Sequence, residues 1–252
     1  MPTALALSPH LDDAAFSCGG LLASLAQAGW RVVMATLLTG SVAEPRGFAL
    51  ACQLDKGLPA EVDYMALRRD EDIEAAAALG IAPPVHLPFR EAPHRGYGSA
   101  PELFSEARAD DGIAADLGPA IAELIAVERP DLLLAPQAIG GHVDHVQAVR
   151  ALRSLDPLPP ILWWRDFPYT VRETAPREPL AALFAELSEQ TVTLAPDAQD
   201  RKRAACAAYA SQIGFQFGGV AGLDARLARE RGIERFRRSA PRGPAIPGLD
   251  AG

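Results

Sequence analysis

The stretch SPHLDDAAFSCGG, residues 8–20, presents a histidine and two adjacent carboxylates directly after the first apolar run of the chain. That run, Thr3–Leu7, predicts a buried strand, and the amphipathic pattern over residues 14–28 predicts the helix that follows it. Asp12 and Asp13 repel each other, and burial raises that cost unless hydrogen bonds or a cation compensate for it. The turn between the strand and the helix therefore either caps the helix or holds a ligand.

Short apolar runs and longer amphipathic stretches alternate along the rest of the chain, which is typical of βαβ units around a mainly parallel sheet. The predicted strands are Thr3–Leu7, Arg31–Leu38, Val85–Phe89, Asp131–Pro136, Ile161–Arg165 and Thr191–Leu194. The predicted helices cover residues 14–28, 66–80 and 119–128, a stretch within 142–154, and 197–212. Residues 39–65 and 90–118 carry little periodicity and predict long loops. We therefore expect an α/β, Rossmann-like three-layer fold with a mainly parallel sheet in a single domain.

The end of the chain carries two further patterns. The arginine-rich segment RLARERGIERFRRSAPR, residues 226–242, predicts a solvated final helix that runs into a tail. The last residues, SAPRGPAIPGLDAG, are rich in proline, glycine and alanine and have almost no periodic apolar pattern. We therefore expect a single folded domain over residues 1–238 and a flexible tail over residues 239–252.

Composition excludes several classes of function. A net charge of −8 argues against nucleic acid or an anionic membrane as the main partner. No apolar run approaches the roughly 18 residues of a membrane helix, and the N-terminus lacks the basic segment of a signal peptide. Three widely spaced cysteines suggest neither a disulfide framework nor a cysteine zinc site. We expect a cytoplasmic protein that acts on a small molecule; the sequence leaves a homo-oligomer open.

A second polar cluster, GGHVDH at residues 140–145, follows the fourth predicted strand. Three of the five histidines of the chain, His10, His142 and His145, fall in the two clusters. Both clusters lie at the carboxyl ends of strands that we expect in one parallel sheet, which is the edge where such sheets bind ligands. Two imidazoles and one carboxylate, such as that of Asp13, with an open fourth position would form a catalytic zinc site.

Each cluster alone also has an ordinary explanation. Asp12 or Asp13 could cap the first helix by accepting backbone N–H bonds, and the HVDH stretch could be a solvated turn. Two clusters that each contain histidine and aspartate, both at strand ends, are harder to explain in this way. Together they favour a functional site.

The two clusters together resemble the PIG-L/LmbE-like family of zinc-dependent N-acetylglucosaminyl deacetylases. The first motif of that family usually reads PHPDDE, against PHLDD here, and its second reads HxDH, against HVDH here. Four other stretches are similar to the family: Arg68 with Glu71 and the following LG, HLPFREAPHRGYG at 86–98, WWRDFPY at 163–169, and KRAACAAYASQ at 202–212.

The resemblance implies a site, residue by residue. It makes His10, Asp13 and His145 the ligands of one Zn²⁺ per chain, with Fe²⁺ or Mn²⁺ as alternatives. It makes Asp12 the general base toward the attacking water. His142 would stabilise the oxyanion or protonate the leaving amine.

Four more residues complete the expected site. Asp144 would hold the charge and orientation of His142, and Arg68 would contact substrate hydroxyls. His94 follows a predicted strand in a loop that could line the cleft, and Asp166 ends another strand from which it could reach the cleft. We expect His94 and Asp166 to bind substrate together with Arg68.

Two departures from the family pattern bear on catalysis. Ala14 replaces the usual glutamate after the paired aspartates, so the role of that glutamate is absent or supplied elsewhere. Gly140 stands where some members have a tyrosine that helps to donate a proton. The acid role would then fall on His142, unless the fold brings Tyr97 or Tyr169 near.

The sequence thus favours a zinc hydrolase that removes the acetyl group from an N-acetylglucosamine-type amino sugar or its conjugate, acting on a linear amide C–N bond. One alternative is a non-haem iron enzyme that uses His142 and Asp144, although such sites usually lie on antiparallel folds. Another is an inactive carbohydrate-binding protein on the same fold. Ala14 and Gly140 favour that second alternative, and the complete set of ligands argues against it.

Overall fold

The computed structural model of the chain describes residues 1–239 and 245–249. The strands are β1 Thr3–Ser8, β2 Arg31–Thr36, β3 Val85–His86, β4 Leu132–Pro136, β5 Ile161–Trp164, β6 Ser188–Thr193 and β7 Ile233–Arg238. The α-helices are α1 Asp13–Gln27, α2 Gly47–Leu54, α3 Tyr64–Leu79, α4 Ala100–Leu103, α5 Ile113–Glu128, α6 Val143–Arg153, α7 Ala181–Phe184, α8 Pro196–Ala208, α9 Ala210–Phe217 and α10 Val220–Glu230. None of these helices is long and apolar enough to cross a membrane, within the ranges described.

The strands form one sheet in the order β3-β2-β1-β4-β5-β7-β6. The first five strands in this order are parallel, and β7 runs antiparallel to both β5 and β6. The chain moves outward from β1 in one direction through β2 and β3, and in the other direction through β4 and β5. The order therefore switches between β1 and β4, where a parallel sheet opens a crevice at its carboxyl edge. This architecture confirms the predicted α/β fold.

Helices cover both faces of the sheet, so its central strands are buried on both sides and read as continuous apolar runs. In β1, Ala4 and Ala6 face the core beneath α1 and α8, and the small side chains let α1 pack closely. Leu5 and Leu7 face the opposite core, beneath α5 and α6. This alternation places the end of β1, and the turn after it, at the centre of the molecule.

The predicted solvated helix over residues 226–242 is wrong beyond Glu230. Residues Ile233–Arg238 form β7, inserted between β5 and β6. Glu234 and Phe236 are the buried positions of this strand. Because Glu234 is charged, the alternation of apolar and polar residues that is typical of a strand cannot be seen in the sequence. Smaller differences are a helix, α2, within the predicted loop 39–65 and a break that divides the predicted fifth helix into α8 and α9.

The predicted tail, residues 239–252, lies partly outside the described residues, since 240–244 and 250–252 are not among them. The described part contacts the sheet. Ser239 donates its backbone N–H to Ile161, and Gly248 accepts a bond from the amide of Thr193. Ile246 is buried in the core beneath α1.

The close approach of α1 to the sheet depends on Gly20. Helix α1 is interrupted at Cys18, and the amides of Gly20 and Leu21 donate to the two carboxylate oxygens of Glu234, each at 2.9 Å. A Cβ atom at Gly20 would lie 2.3 Å from a methyl carbon of Leu194. Gly20 is therefore required by packing.

We predict that Gly20→Ala lowers the free energy of unfolding by about 1–3 kcal/mol, as expected when a packed core receives an extra methyl group. Gly19→Ala is the matched control, because a Cβ there would lie at an ordinary 3.4 Å from Leu79. Urea denaturation of both variants measures the difference. Equal midpoints for the two variants would contradict this account of the packing.

Candidate functional site

The two polar clusters meet at the carboxyl edge of the sheet, as predicted. The turn after β1 carries His10, Asp12 and Asp13, and the start of α6 carries His142 and His145. The ring centroid of His10 lies 4.9 Å from that of His142 and 5.2 Å from that of His145. The switch in strand order between β1 and β4 brings these distant stretches together.

Local hydrogen bonds shape both turns. Ser8 donates its hydroxyl to the carbonyl of His10 at 2.7 Å and accepts the amide of Ala14 at 3.0 Å, which folds the chain back at the end of β1. His142 caps α6, since its Nδ1 accepts the amide of Asp144 at 3.2 Å. The polar side chains therefore project from a strand end and a helix start that are each held by a hydrogen bond.

Three possible ligand atoms converge on one point. Asp13 Oδ2 lies 3.2 Å from His10 Nδ1 and 3.1 Å from His145 Nε2. Ligands of one tetrahedral zinc ion, each about 2.1 Å from the metal, lie roughly 3.4 Å apart. These three side chains therefore have the composition and nearly the spacing of a site for one metal ion.

His142 completes a second possible group, because the ligand atoms of His10, His142 and His145 all lie within 4.8 Å of one another. The two groups share two histidines and differ in whether His142 or Asp13 is the third ligand. His142 Nδ1 already accepts the amide of Asp144, so only its Nε2 is left. The oxygen of Asp13 lies closer to the other two histidines, so the geometry favours Asp13.

Buried carboxylates hydrogen-bond the ring nitrogens of His10 and His145 that do not face Asp13. His10 Nε2 bonds Asp144 Oδ2 at 2.9 Å, and His145 Nδ1 bonds Asp166 Oδ1 at 2.8 Å. Both carboxylates are fully buried. Carboxylate–histidine pairs of this kind fix the tautomer and orientation of metal-binding histidines, so they are what a metal site requires.

Two sequence-based assignments are corrected by these bonds. Asp166 does not line the cleft, because it is fully buried and its oxygens accept from His145 and from the amide of Ile139. The carboxylate of Asp144 does not hydrogen-bond His142, since it lies 3.9 Å from Nδ1, but its charge acts against burial to raise the pKa of that ring. That carboxylate bonds His10 and Arg95 instead.

The pKa values of the metal-free chain show which charge the site favours. Burial lowers the pKa of His145, but Asp13 and Asp166 outweigh it and raise that pKa to about 9. The pKa of His10 is also held well above its ordinary value, against burial, by Asp13 and Asp144. The site thus stabilises positive charge, which a bound dication would supply in place of the two protons.

The carboxylate of Asp12 lies beside the possible metal ligands but is not one of them. It is 5% exposed, and its Oδ2 accepts the side-chain amide of Gln216 at 3.0 Å. Its Oδ1 lies 3.7 Å from a guanidinium nitrogen of Arg68. Burial and the adjacent Asp13 raise the pKa of Asp12 to about 7, which makes it a better proton acceptor than an ordinary carboxylate.

These residues open into a cleft of about 480 Å³, a volume typical of small-molecule sites. Arg68 and His94 line it, and Arg68 is held by Glu91 at 2.6 Å. The lining of the cleft also includes aromatic side chains from α2, α3 and α9: Phe48, Tyr64 and Phe215.

Of the two tyrosines considered from the sequence, Tyr169 lines the cleft. Its ring lies against Gly140, where a Cβ atom would stand 2.6 Å from the ring. Gly140 has a φ of +98°, so a larger residue would be both strained and blocked. Tyr97 is buried and donates its hydroxyl to Asp111, away from the cleft.

Sequence reasoning missed Gln216 and Arg95. Gln216 contacts Asp12 across 204 residues of sequence and belongs to no stretch that suggests chemistry. Arg95 bridges Asp144 and Asp111 from a segment predicted only as a substrate loop. In both cases the signal is a contact between distant elements, which a sequence pattern does not contain.

Comparisons with known proteins agree with this geometry. A sequence model of the family described as PIG-L, GlcNAc-PI de-N-acetylase, matches residues 5–155. The chain is 39% identical over 173 residues to 2'-N-acetylparomamine deacetylase of Streptomyces fradiae, covering 68% of this chain and 59% of that protein. It is 29% identical to 1D-myo-inositol 2-acetamido-2-deoxy-alpha-D-glucopyranoside deacetylase of Nakamurella multipartita, covering 98% of this chain and 92% of that protein.

Solved structures share the whole architecture. The zinc-inhibited form of teicoplanin deacetylase Orf2 is similar with a TM-score of 0.76 at 25% identity, covering 95% of this chain and all of that one. The A40926 pseudoaglycone deacetylase Dbv21 is similar with a TM-score of 0.74 at 30% identity, covering 93% and 96%. The structural similarity therefore extends well beyond residues 5–155, which the family model matches.

Proposed function

This chain belongs to the GlcNAc-PI de-N-acetylase (PIG-L) family, and we propose that it is a metal-dependent N-deacetylase of an N-acetylglucosamine-type amino sugar or its conjugate. The observation that carries this proposal is the convergence of Asp13 with His10 and His145 beside a separate carboxylate, Asp12. The relatives named above are deacetylases, and two of them act on amino-sugar conjugates. The first of them matches over only 59% of its length, so the substrate is part of the proposal.

We assign the metal to His10, Asp13 and His145, with zinc as the first candidate and Fe²⁺ or Mn²⁺ as alternatives. The donor set fits, because its two histidines are each held by a buried carboxylate. A zinc ion bound there would polarise the acetyl carbonyl and lower the pKa of a water molecule to near neutrality. The mainly parallel sheet disfavours the non-haem iron alternative, which we expected on an antiparallel fold.

The protein's own groups would move the protons. Asp12 would accept a proton from the attacking water as its oxygen bonds to the acetyl carbon. The C–N bond then breaks, the nitrogen takes the proton held by Asp12 to leave as an amine, and the acetic acid formed loses its proton to give acetate. Asp12 lies on the rim of the metal group and has a raised pKa, as this role requires.

His142 would act as a hydrogen-bond donor to the oxyanion. Its Nδ1 accepts a backbone N–H, so the proton of the neutral ring resides on Nε2. Burial, together with the charge on His10, lowers the pKa of His142 to about 3 in the metal-free chain. A neutral donor fixed at a helix start needs little reorganisation as charge develops on the carbonyl oxygen.

Arg68 and His94 would contact the sugar hydroxyls from the wall of the cleft. Arg68 has five N–H donors, of which two bond Glu91 and the carbonyl of Leu11. Its Nε is buried without a hydrogen-bond partner among the described residues. The place of Arg68 in the wall of the cleft supports its assignment to substrate binding.

We predict that the purified protein releases acetate from at least one member of a panel that contains 2'-N-acetylparomamine and N-acetylglucosaminyl-inositol. Prior treatment with EDTA should abolish the release, and one equivalent of Zn²⁺ should restore it, because the metal would act as the Lewis acid that polarises the acetyl carbonyl. Zinc is kept stoichiometric, since one solved relative is described in a zinc-inhibited form. Stoichiometric metal without release from any sugar would favour the binding-protein alternative.

A further inference from the structure

Among the side chains that helix α9 places in the cleft, Gln216 contacts Asp12. Gln216 Nε2 donates to Asp12 Oδ2 at 3.0 Å. Across residues 1–239 and 245–249, this amide is the only hydrogen-bond donor to the side chain of Asp12; the nitrogen of Arg68 lies farther away, at 3.7 Å. The orientation of this buried carboxylate thus depends on a residue 204 positions away.

The rest of α9 is firmly attached to α3. Ser211 donates both its amide and its hydroxyl to Glu71, each at 2.7 Å. Gln212 donates to the hydroxyl of Tyr64 at 2.8 Å. At the other end of α9, Phe217 packs on the ring of Phe16 at a centroid distance of 5.5 Å. Gln216 therefore projects from a helix that is held at both ends.

We propose that Gln216 is a positioning residue for Asp12, which it holds in the rotamer that accepts the proton of the attacking water. This inference rests on the proposed function, in which Asp12 is the general base. A carboxylate with one oxygen held by a fixed donor loses its freedom to rotate, which keeps the reacting groups aligned. A neutral amide fixes the carboxylate without placing a full positive charge next to the general base.

We predict that Gln216→Leu lowers kcat about 10- to 100-fold, because misplacing a catalytic group by about 1 Å can cost that much. KM, metal content and thermal midpoint should stay close to those of the wild type. Gln27→Leu is the matched control, since the amide of Gln27 also donates to a carboxylate, that of Asp197, but on the surface. Gln216→Met, which keeps the length of the side chain, serves if the leucine variant unfolds.

The decisive measurement repeats the substitution in the Asp12→Asn background. A residue that acts through Asp12 should cause no further loss there, because the group it positions is already disabled. The same loss in both backgrounds, or a rise in KM that accounts for the effect, would overturn the inference in favour of a structural role or substrate contact. An inactive wild type would instead overturn the proposed function and this inference with it.

Discussion

Replacing Asp13 with alanine should remove both the bound metal and the activity. Asp13 Oδ2 is the atom that links the other two proposed ligands, at 3.2 Å from His10 Nδ1 and 3.1 Å from His145 Nε2. Loss of a partner that merely orients a ligand weakens metal binding about 10- to 100-fold, and loss of a ligand should cost more. Metal analysis of the dialysed protein, followed by titration with Zn²⁺ against a chromophoric chelator, measures the effect.

The same experiment decides between the two possible ligand groups. If the metal is held by Asp13 with His10 and His145, His142→Ala should keep the metal and lose turnover. If the three histidines hold it, His142→Ala should lose the metal and Asp13→Ala should keep much of it. Asp110→Ala serves as the control for removing an aspartate, because Asp110 is exposed and pairs with Arg108 on the surface.

Replacing Asp12 with asparagine should have an equally clear but different effect. We expect kcat to fall about 10²- to 10⁴-fold, the contribution of a positioned general base, while stoichiometric metal remains bound. Asparagine has nearly the shape of aspartate and cannot accept the proton. It can still accept the bond from Gln216 through its amide oxygen, so the local structure should persist.

Single-turnover acetate release at high enzyme concentration would measure the loss and separate it from substrate binding. Asp55→Asn is a suitable control, since Asp55 lines the rim of the same cleft but is exposed. An Asp12→Asn enzyme with near wild-type turnover would contradict the assignment of Asp12, whatever the metal content. Loss of metal in that variant would place Asp12 among the ligands instead.

The different roles proposed for Asp12 and Asp13 would also explain why two adjacent aspartates follow the first strand. His145 and His10 hold the pKa of Asp13 well below its ordinary value against the effect of burial, whereas burial and Asp13 raise that of Asp12 to about 7. The two carboxyl groups are thus driven apart in proton affinity, a pattern typical of pairs with different catalytic roles. Asp13 stays charged for a cation, and Asp12 is suited to accept a proton.

The general fold and the location of the site were predictable from the sequence because their signals are local. Strand β1 is buried on both faces, so it appears as an apolar run. The carboxyl end of each strand in a parallel sheet points to one edge, so the PHLDD and GGHVDH clusters could be placed together before any contact was known. The scarcity of histidine made their grouping visible.

The partners of the buried polar groups were decided only by the tertiary structure. Glu234 in β7 caps amides of α1, Asp144 bonds His10 rather than the neighbouring His142, Asp166 supports His145 from behind, and Gln216 reaches Asp12 from α9. A carboxylate takes whichever donor lies within about 3 Å, and differences of that size arise when helices pack on the sheet. Local patterns in the sequence determine which groups reach the edge of the sheet, and packing determines which of them bond to each other.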